Sequence, residues 1–190
     1  HDGVRAFPAA VACLERLRAQ GKRILILSNA PRRAESVAAR NAEIGLPREV
    51  CDFVMSSGEE TWRHLVREAA GERCYHLGPA RDLGLRDGLN YRFVADIAEA
   101  DLILDTGAAS NEDTAEMYDP LLRPAALRGV PMICANPDLE VIRGDKREIC
   151  AGAIALRYER LGGAVRYHGK PHAGIYRTCF DLLDGVPPGR

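Results

Sequence analysis

The amino-acid sequence predicts an α/β fold built on a mostly parallel sheet. The chain has 190 residues, of which 46% are hydrophobic and 28% charged, a composition typical of globular domains. Short, continuously apolar runs alternate along the chain with stretches that have helical spacing. Such runs are typical of strands covered on both faces, and the alternation predicts parallel strands joined by right-handed crossovers.

The first third of the chain contains three predicted helices and two predicted strands. Pro8 suits the first turn of a helix whose apolar residues recur at a spacing of three, and Gly21 ends that helix. The next predicted elements are a strand over 23–27, a helix over about 33–44 and a strand over 51–55. Ser57 and Glu60 have the spacing of a capping box, which predicts the start of a third helix at this point.

The rest of the chain continues the alternation in shorter units. Strands are predicted over 74–77, 102–104, 131–134 and 165–167, and helices over 151–161 and about 173–183. Asn111 is predicted to cap a further helix that runs through Met117. Asp101 and Asp105 flank one strand, and we expect both to be solvated.

Charge and cysteine usage exclude several classes of protein. The net charge is −1 and the isoelectric point about 6.6, which argues against binding to nucleic acid through phosphate neutralisation. No apolar run approaches the roughly 20 residues that span a bilayer, so we expect no membrane partner. The six cysteines are widely spread and form no Cys-x-x-Cys pair, which favours a reducing, cytoplasmic location and no zinc site.

Polar residues follow two predicted strands at the edge where parallel sheets bind ligands. Ser28 and Asn29 come directly after the most apolar strand, where a hydroxyl and turn amides form an anion site, although both residues are also common helix caps. Gly169, Lys170 and Pro171 follow a later strand, and the Lys170 ammonium is suited to neutralise a phosphate oxygen. The alternative for Lys170 is an ordinary solvated lysine.

A hydroxyl and an ammonium at neighbouring strand ends suit phosphoryl transfer, which depends on positioning and charge stabilisation. Two further pairs of residues invite a functional interpretation. His168 and His172 have a spacing compatible with metal ligands, but Gly169 and Pro171 interrupt a helical face between them. Glu59 and Glu60 resemble paired carboxylates, yet a position at a helix N-terminus explains them better.

Four segments together resemble phosphatases of the haloacid dehalogenase superfamily. The segments are His1-Asp2-Gly3 with Phe7-Pro8-Ala9-Ala10, Ile24-Leu25-Ile26-Leu27-Ser28-Asn29, Ala135-Asn136-Pro137-Asp138 and His168-Gly169-Lys170-Pro171. Their order and spacing cover nearly the whole chain. The resemblance is to the class IIA cap type, which includes 4-nitrophenyl, phosphoglycolate and pyridoxal phosphatases.

The resemblance implies a role for each matching residue. Ser28 would hydrogen-bond the transferring phosphoryl group, and Lys170 would neutralise it and orient the nucleophile. Asn29 and Gly169 would shape the same phosphate pocket. The family's reaction uses Mg²⁺ and an aspartyl-phosphate, but the matching aspartates would lie before His1 and the acidic metal-binding motif beyond Arg190. We therefore expect the nucleophile and the side-chain metal ligands outside this sequence.

The resemblance also implies two domains. A Rossmann-like catalytic core would comprise 1–70 and 166–190, and an α/β cap would comprise 71–165. The cap would choose the substrate through Asn136 and Asp138. The loop with Arg143, Asp145 and Lys146 is a further candidate, and a plain turn is the alternative for Asn136 and Asp138, since both residues favour turns.

The function predicted for the whole protein is Mg²⁺-dependent hydrolysis of a small phosphorylated metabolite. The alternative is a catalytically silent relative that binds a phosphometabolite or a protein. A nucleotide-binding oxidoreductase domain is disfavoured, because no Gly-x-Gly-x-x-Gly follows the early strands. Caps of this class take part in dimer contacts, so a homodimer through the cap is a further expectation.

Overall fold

The structure is a computed structural model, and it describes residues 4–68, 71–143 and 146–183. The resemblance drawn on His1-Asp2-Gly3 and the candidate residue Asp145 lie outside these residues. The helices are α1 (Pro8–Ala19), α2 (Ala34–Glu43), α3 (Ser57–Arg67), α4 (Asp119–Leu127), α5 (Ala151–Arg160) and α6 (Ala173–Leu182). The strands are β1 (Leu25–Ser28), β2 (Phe53–Ser56), β3 (Arg73–Leu77), β4 (Arg92–Val94), β5 (Leu102–Asp105), β6 (Met132–Cys134), β7 (Glu140–Arg143), β8 (Lys146–Ile149) and β9 (Val165–Tyr167).

The first sheet consists of β1 and β2, which run parallel with Ser28 opposite Ser56. This register aligns the carboxyl ends of the two strands, so the polar residues that follow them meet at one edge. Met55 on β2 is buried with Ile175 and Cys179 of α6, and this cluster packs α6 against the sheet. Helix α6 thereby packs against the sheet formed by β1 and β2.

The second sheet has five parallel strands in the order β4-β3-β5-β6-β9. Both of its faces are covered: one cluster includes Ile103, Leu122 and Ile154, and the other includes Leu65 and Leu104. Burial on both faces explains why the two central strands, β5 over 102–104 and β6, are continuously apolar rather than alternating. The predicted α/β fold with a mostly parallel sheet is confirmed.

Three strands were not predicted from the sequence. The short strand β4 lies at the edge of the second sheet, and β7 and β8 form an antiparallel hairpin. The hairpin strands carry five charged residues, namely Glu140, Arg143, Lys146, Arg147 and Glu148, and so lack the apolar run that identifies a buried strand. The predicted domain boundary between 165 and 166 falls inside β9, and the pairing of β9 with β6 associates the whole strand with the second sheet.

The predicted helix from Asn111 to Met117 is wrong. Asn111 lies in a turn, a short 3-10 helix covers Ala115–Tyr118, and α4 begins only at Asp119. The Asp113 carboxylate accepts hydrogen bonds from the Ser110 amide and the Tyr118 hydroxyl, and these bonds stabilise a compact loop instead of a helix.

The predicted capping box at the start of α3 does not form, and the cap lies one residue earlier than Ser57. The N-cap is Ser56, whose hydroxyl oxygen accepts a hydrogen bond from the Glu59 amide at 3.0 Å. Ser57 instead donates its hydroxyl to the Ala30 carbonyl at 3.0 Å. Glu60 is therefore free of the capping role, and its carboxylate reaches another part of the molecule.

Asp101 and Asp105 were both expected to be solvated, but they differ sharply in their solvent exposure. Asp101 is exposed and pairs with Arg73 at 2.6 Å, whereas Asp105 has no exposed surface. The two-residue period of a strand places Asp105 on the same buried face as Ile103. Its Oδ1 accepts the Gly107 amide at 3.0 Å, while Oδ2 has no partner among the described residues. Burial raises the pKa of Asp105 well above its ordinary value.

None of the helices in the described ranges is long and apolar enough to cross a membrane.

Replacing Asp105 by Asn should remove a pH-dependent loss of stability. Because its folded-state pKa is raised, the carboxyl contributes stability that is complete below the unfolded-state pKa of about 3.9 and is lost as the pH rises towards the folded-state pKa. The free energy of unfolding of the wild type should therefore fall relative to Asp105→Asn by more than about 1 kcal/mol between about pH 4 and about pH 8. Urea unfolding at both pH values measures the difference. Asp181→Asn, on an exposed position of α6, is the control, and a pH-independent difference for Asp105→Asn would contradict the expectation.

Candidate active site

Ser28 is the last residue of β1 and Asn29 follows it in a loop, so neither residue lies at a helix start. The Ser28 hydroxyl oxygen accepts a hydrogen bond from the Ala30 amide at 3.2 Å. Helix α2 begins at Ala34, and its N-cap is Arg33, which makes no side-chain cap. The helix-cap alternative for Ser28 and Asn29 is therefore wrong, and their side chains are available to other parts of the molecule.

The Asn29 side-chain amide binds both polar groups of the Lys170 backbone. Its Oδ1 accepts the Lys170 amide at 2.8 Å, and its Nδ2 donates to the Lys170 carbonyl at 3.0 Å. Asn29 is only 8% exposed, so these bonds are largely protected from competition by water. Two bonds from one planar side chain fix both the position and the orientation of the Lys170 backbone.

Lys170 directs its ammonium back to β1. The Lys170 Nζ donates to the Leu27 carbonyl at 3.2 Å, and the residue is half-buried. Because Leu27 immediately precedes Ser28, the ammonium and the Ser28 hydroxyl lie at the same strand end. This contact excludes the alternative of a solvated surface lysine.

Gly169 occupies a position where any larger residue would displace the neighbouring atoms. A Cβ at this position would lie 2.8 Å from both Ser57 Cβ and Pro137 Cδ, and 2.9 Å from Asn29 Oδ1. Its φ of 113° is also one that favours glycine. Gly169 thus allows the loop after β9 to approach the β1 loop, the start of α3 and the turn after β6 at once.

Asn136 and Asp138 form a turn that reaches this site. The Asn136 Oδ1 accepts the Asp138 amide at 3.1 Å, so the plain-turn interpretation is correct locally. The exposed Asp138 carboxylate in turn accepts a hydrogen bond from Asn29 Nδ2 at 2.7 Å. The turn therefore lies beside the Ser28–Lys170 strand end. Arg143 and Lys146, the other candidates, occupy opposite positions in the β7–β8 strand ladder, near the tip of the hairpin. Whether Asn136 and Asp138 select the substrate stays a prediction.

The two histidines considered as metal ligands have different environments. His168 is buried, with its ring centroid 4.8 Å from that of His64, whereas the exposed His172 stacks on Tyr167 at 5.1 Å. Burial, then the neighbouring His168, lowers the pKa of His64. Within 4–68, 71–143 and 146–183, no group of three or more His, Cys, Asp or Glu residues is arranged to hold a metal ion. The described residues therefore do not fit a magnesium site.

Glu59 and Glu60 are adjacent but do not act as a carboxylate pair. The Glu59 carboxylate binds Arg33 at 2.7 Å and Arg63 at 3.2 Å. Burial raises the pKa of Glu59, but the hydrogen bonds from Arg33 and the Ala34 amide outweigh it, so the pKa lies below its ordinary value. Glu60 instead accepts the Gly169 amide at 2.9 Å. Sequence reasoning missed this contact, because the only local signal was an acidic residue in the first turn of a helix.

Known proteins share both sequence and fold with this chain. The family model for haloacid dehalogenase-like hydrolases matches residues 1–91. A haloacid dehalogenase-like hydrolase from Brucella suis 1330 is 36% identical; the match covers 97% of this chain and 68% of that one, with a TM-score of 0.91. The chain belongs to the haloacid dehalogenase-like hydrolase family.

Two more distant structures share the fold. A possible sugar phosphatase from Cytophaga hutchinsonii is 22% identical, with 98% of this chain and 70% of that chain covered and a TM-score of 0.75. The p-nitrophenyl phosphatase from Archaeoglobus fulgidus is 24% identical, with 96% and 71% covered and a TM-score of 0.72. No curated protein matches the sequence. The resemblance inferred from the four sequence segments is confirmed at the level of family and fold.

Substituting Gly169 by Ala should destabilise the protein more than the same change at Gly162. Both glycines have positive φ, 113° and 91°, so Ala costs about 1–2 kcal/mol of backbone strain at either position. Only at Gly169 does the new methyl group meet crowded neighbours, which should cost about 1–3 kcal/mol more.

Chemical unfolding of the two variants measures this difference. Gly162→Ala is the matched control, because no described atom lies within 4 Å of a Cβ at that position. Equal losses of unfolding free energy in the two variants would show that the loop after β9 is not closely packed.

Proposed function

We propose that the protein containing this chain hydrolyses a small phosphorylated metabolite at the Ser28–Lys170 strand end. One observation carries the proposal: the Lys170 ammonium donates to the Leu27 carbonyl at 3.2 Å, next to Ser28, although 143 positions separate the two partners. An ammonium and a hydroxyl at the carboxyl end of a parallel strand suit a phosphoryl group.

The relatives support the same class of reaction. The Archaeoglobus fulgidus protein is a p-nitrophenyl phosphatase, and the Cytophaga hutchinsonii protein is a possible sugar phosphatase. Both have the fold of this chain. Their activities are consistent with phosphomonoester hydrolysis as the function of the site, and they differ in substrate, so they favour no single phosphomonoester.

The residues of this chain bind and stabilise the phosphoryl group in this proposal. The Ser28 hydroxyl donates a hydrogen bond to one phosphoryl oxygen, and the Lys170 ammonium neutralises the negative charge. Because Asn29 holds the Lys170 backbone at two points, the ammonium needs little rearrangement when the substrate binds. Interactions organised in advance in this way stabilise a transition state more than mobile ones.

Mg²⁺ dependence and an aspartyl-phosphate intermediate are part of the proposal and rest on the family resemblance. The described residues hold no cluster of three or more metal ligands. The resemblance associates both the metal ligands and the nucleophile with segments that this sequence does not match.

We also propose that 1–70 and 168–190 form the catalytic core and 71–167 the cap, because the pairing of β9 with β6 moves the predicted boundary past the end of β9. The bond between Asn29 and Asp138 supports a cap turn that contacts the phosphate site. A cytoplasmic location, a homodimer through the cap, and no nucleic-acid or membrane partner complete the proposal. None of the six cysteines forms a disulfide in the described part of the chain, which is consistent with a reducing compartment.

Lys170→Ala should lower the kcat of the complete protein towards 4-nitrophenyl phosphate with Mg²⁺ by about 10²–10³-fold, and Ser28→Ala by about tenfold or more. Both side chains would contact charge that develops on the phosphoryl oxygens. Steady-state kinetics measure the effect, with the surface change Lys22→Ala as the matched control.

Turnover unaffected by Lys170→Ala would contradict the proposal. Absence of turnover in the complete wild-type protein, together with phosphate binding that Lys170→Ala abolishes, would establish the alternative of a catalytically silent binding protein.

A further inference from the structure

Glu60 is a buried carboxylate that neither caps its helix nor pairs with an arginine in the described structure. It lies in the first turn of α3 and is 7% exposed. Ser56 provides the cap of α3, and Arg33 and Arg63 bind Glu59. A buried carboxylate is costly unless it is hydrogen-bonded, so the partners of Glu60 indicate its role.

One carboxylate oxygen of Glu60 binds the loop that carries Lys170. The Gly169 amide donates to Glu60 Oε2 at 2.9 Å, and this bond is fully buried. Glu60 and Gly169 are 109 positions apart, so the bond joins the start of α3 to the loop after β9. A hydrogen bond from an amide to a carboxylate is stronger than one to a neutral acceptor.

The other oxygen is enclosed between the loop and α6. The His168 Nδ1 lies 3.5 Å from Glu60 Oε1, and a Cβ at Gly174 in α6 would lie 2.4 Å from the same oxygen. Burial and then the Glu60 carboxylate raise the pKa of the Cys179 thiol, also in α6, to about 11. The carboxylate therefore fills a space that Gly174 leaves open, and it has little freedom to move.

Glu60 and Asn29 together hold two consecutive amides of the loop. Glu60 accepts the amide of Gly169, and Asn29 accepts the amide of Lys170. Successive peptide planes held at both amides determine the direction in which the Lys170 side chain leaves the backbone. Asn29 alone leaves the preceding peptide free to rotate, and Gly169 is the residue with the greatest backbone freedom.

We propose that Glu60 is a positioning residue that sets the location of the Lys170 ammonium through the Gly169 amide. The inference rests on the proposed function, in which that ammonium stabilises the transferring phosphoryl group. Glu60 itself contacts no substrate atom. Its effect on the reaction passes through the loop and appears in kcat, because a displaced ammonium loses interactions that strengthen in the transition state.

The test compares Glu60→Asp, Glu60→Gln and Glu59→Gln in the complete protein with 4-nitrophenyl phosphate and Mg²⁺. Aspartate keeps the charge but is too short to reach the Gly169 amide, so kcat should fall about 10- to 100-fold with little change in KM. Glutamine keeps an acceptor oxygen at the same reach, so kcat should return to within about threefold of wild type. Glu59→Gln changes an equally buried carboxylate in the same helical turn and should leave kcat within about twofold of wild type.

Two further measurements separate positioning from general destabilisation. In the Lys170→Ala background, Glu60→Asp should cause no further loss of kcat, because the group it positions is gone. Hydrogen exchange of the Gly169 amide, followed by NMR, should be faster in Glu60→Asp than in wild type and Glu59→Gln.

An unchanged kcat in Glu60→Asp, or a loss that persists in full in the Lys170→Ala background, would overturn the inference. If Lys170→Ala itself leaves turnover unaffected, the proposed function fails instead. The Gly169 exchange rate then still decides the structural part: equal rates in Glu60→Asp and wild type would show that Glu60 does not hold the loop.

Discussion

The hydrogen bonds between the Asn29 side chain and the Lys170 backbone are the constraint on which the site depends. They join residues 141 positions apart, and they use both the donor and the acceptor of one side-chain amide. Because an unsatisfied buried amide costs about 1–3 kcal/mol, the pairing favours one relative placement of the β1 loop and the loop after β9. The remaining contact of Asn29, with Asp138, brings the turn after β6 to the same place.

Small residues make this convergence possible. Gly169 lies against Ser57 and Pro137, and a Cβ at Gly152 would lie 2.2 Å from the Pro137 carbonyl oxygen. Three segments from both sheets therefore approach each other at backbone distance, which larger residues would prevent. The carboxylate of Glu60 then occupies a gap beside the same loop, so close packing and buried hydrogen bonding act on the same few residues.

The sequence pattern predicted the features that depend on neighbouring residues, namely the apolar strands and the approximate starts of the helices. Strands covered on both faces are typically continuous apolar runs, so β1, β5 and β6 were identifiable, whereas the charged hairpin of β7 and β8 was not. The start of α3 was predicted one residue late, because Ser56 and Ser57 are equally good caps and only their tertiary contacts distinguish them. Asp105 was expected in solvent because a terminal aspartate is usually exposed, and only the packing of the second sheet buries it.

The sequence by itself determined the α/β class, the family and the residue types available for phosphate binding, because composition, periodicity and short motifs are properties of neighbouring residues. Ser28, Asn29, Gly169 and Lys170 were all identified in this way, and so was the turn with Asn136 and Asp138. Tertiary structure alone decided which of these side chains meet: Asn29 holds the Lys170 backbone, Lys170 reaches Leu27, and Glu60 supports Gly169. Such contacts join residues more than 100 positions apart, and their geometry depends on how the helices and sheets pack, which no local pattern encodes.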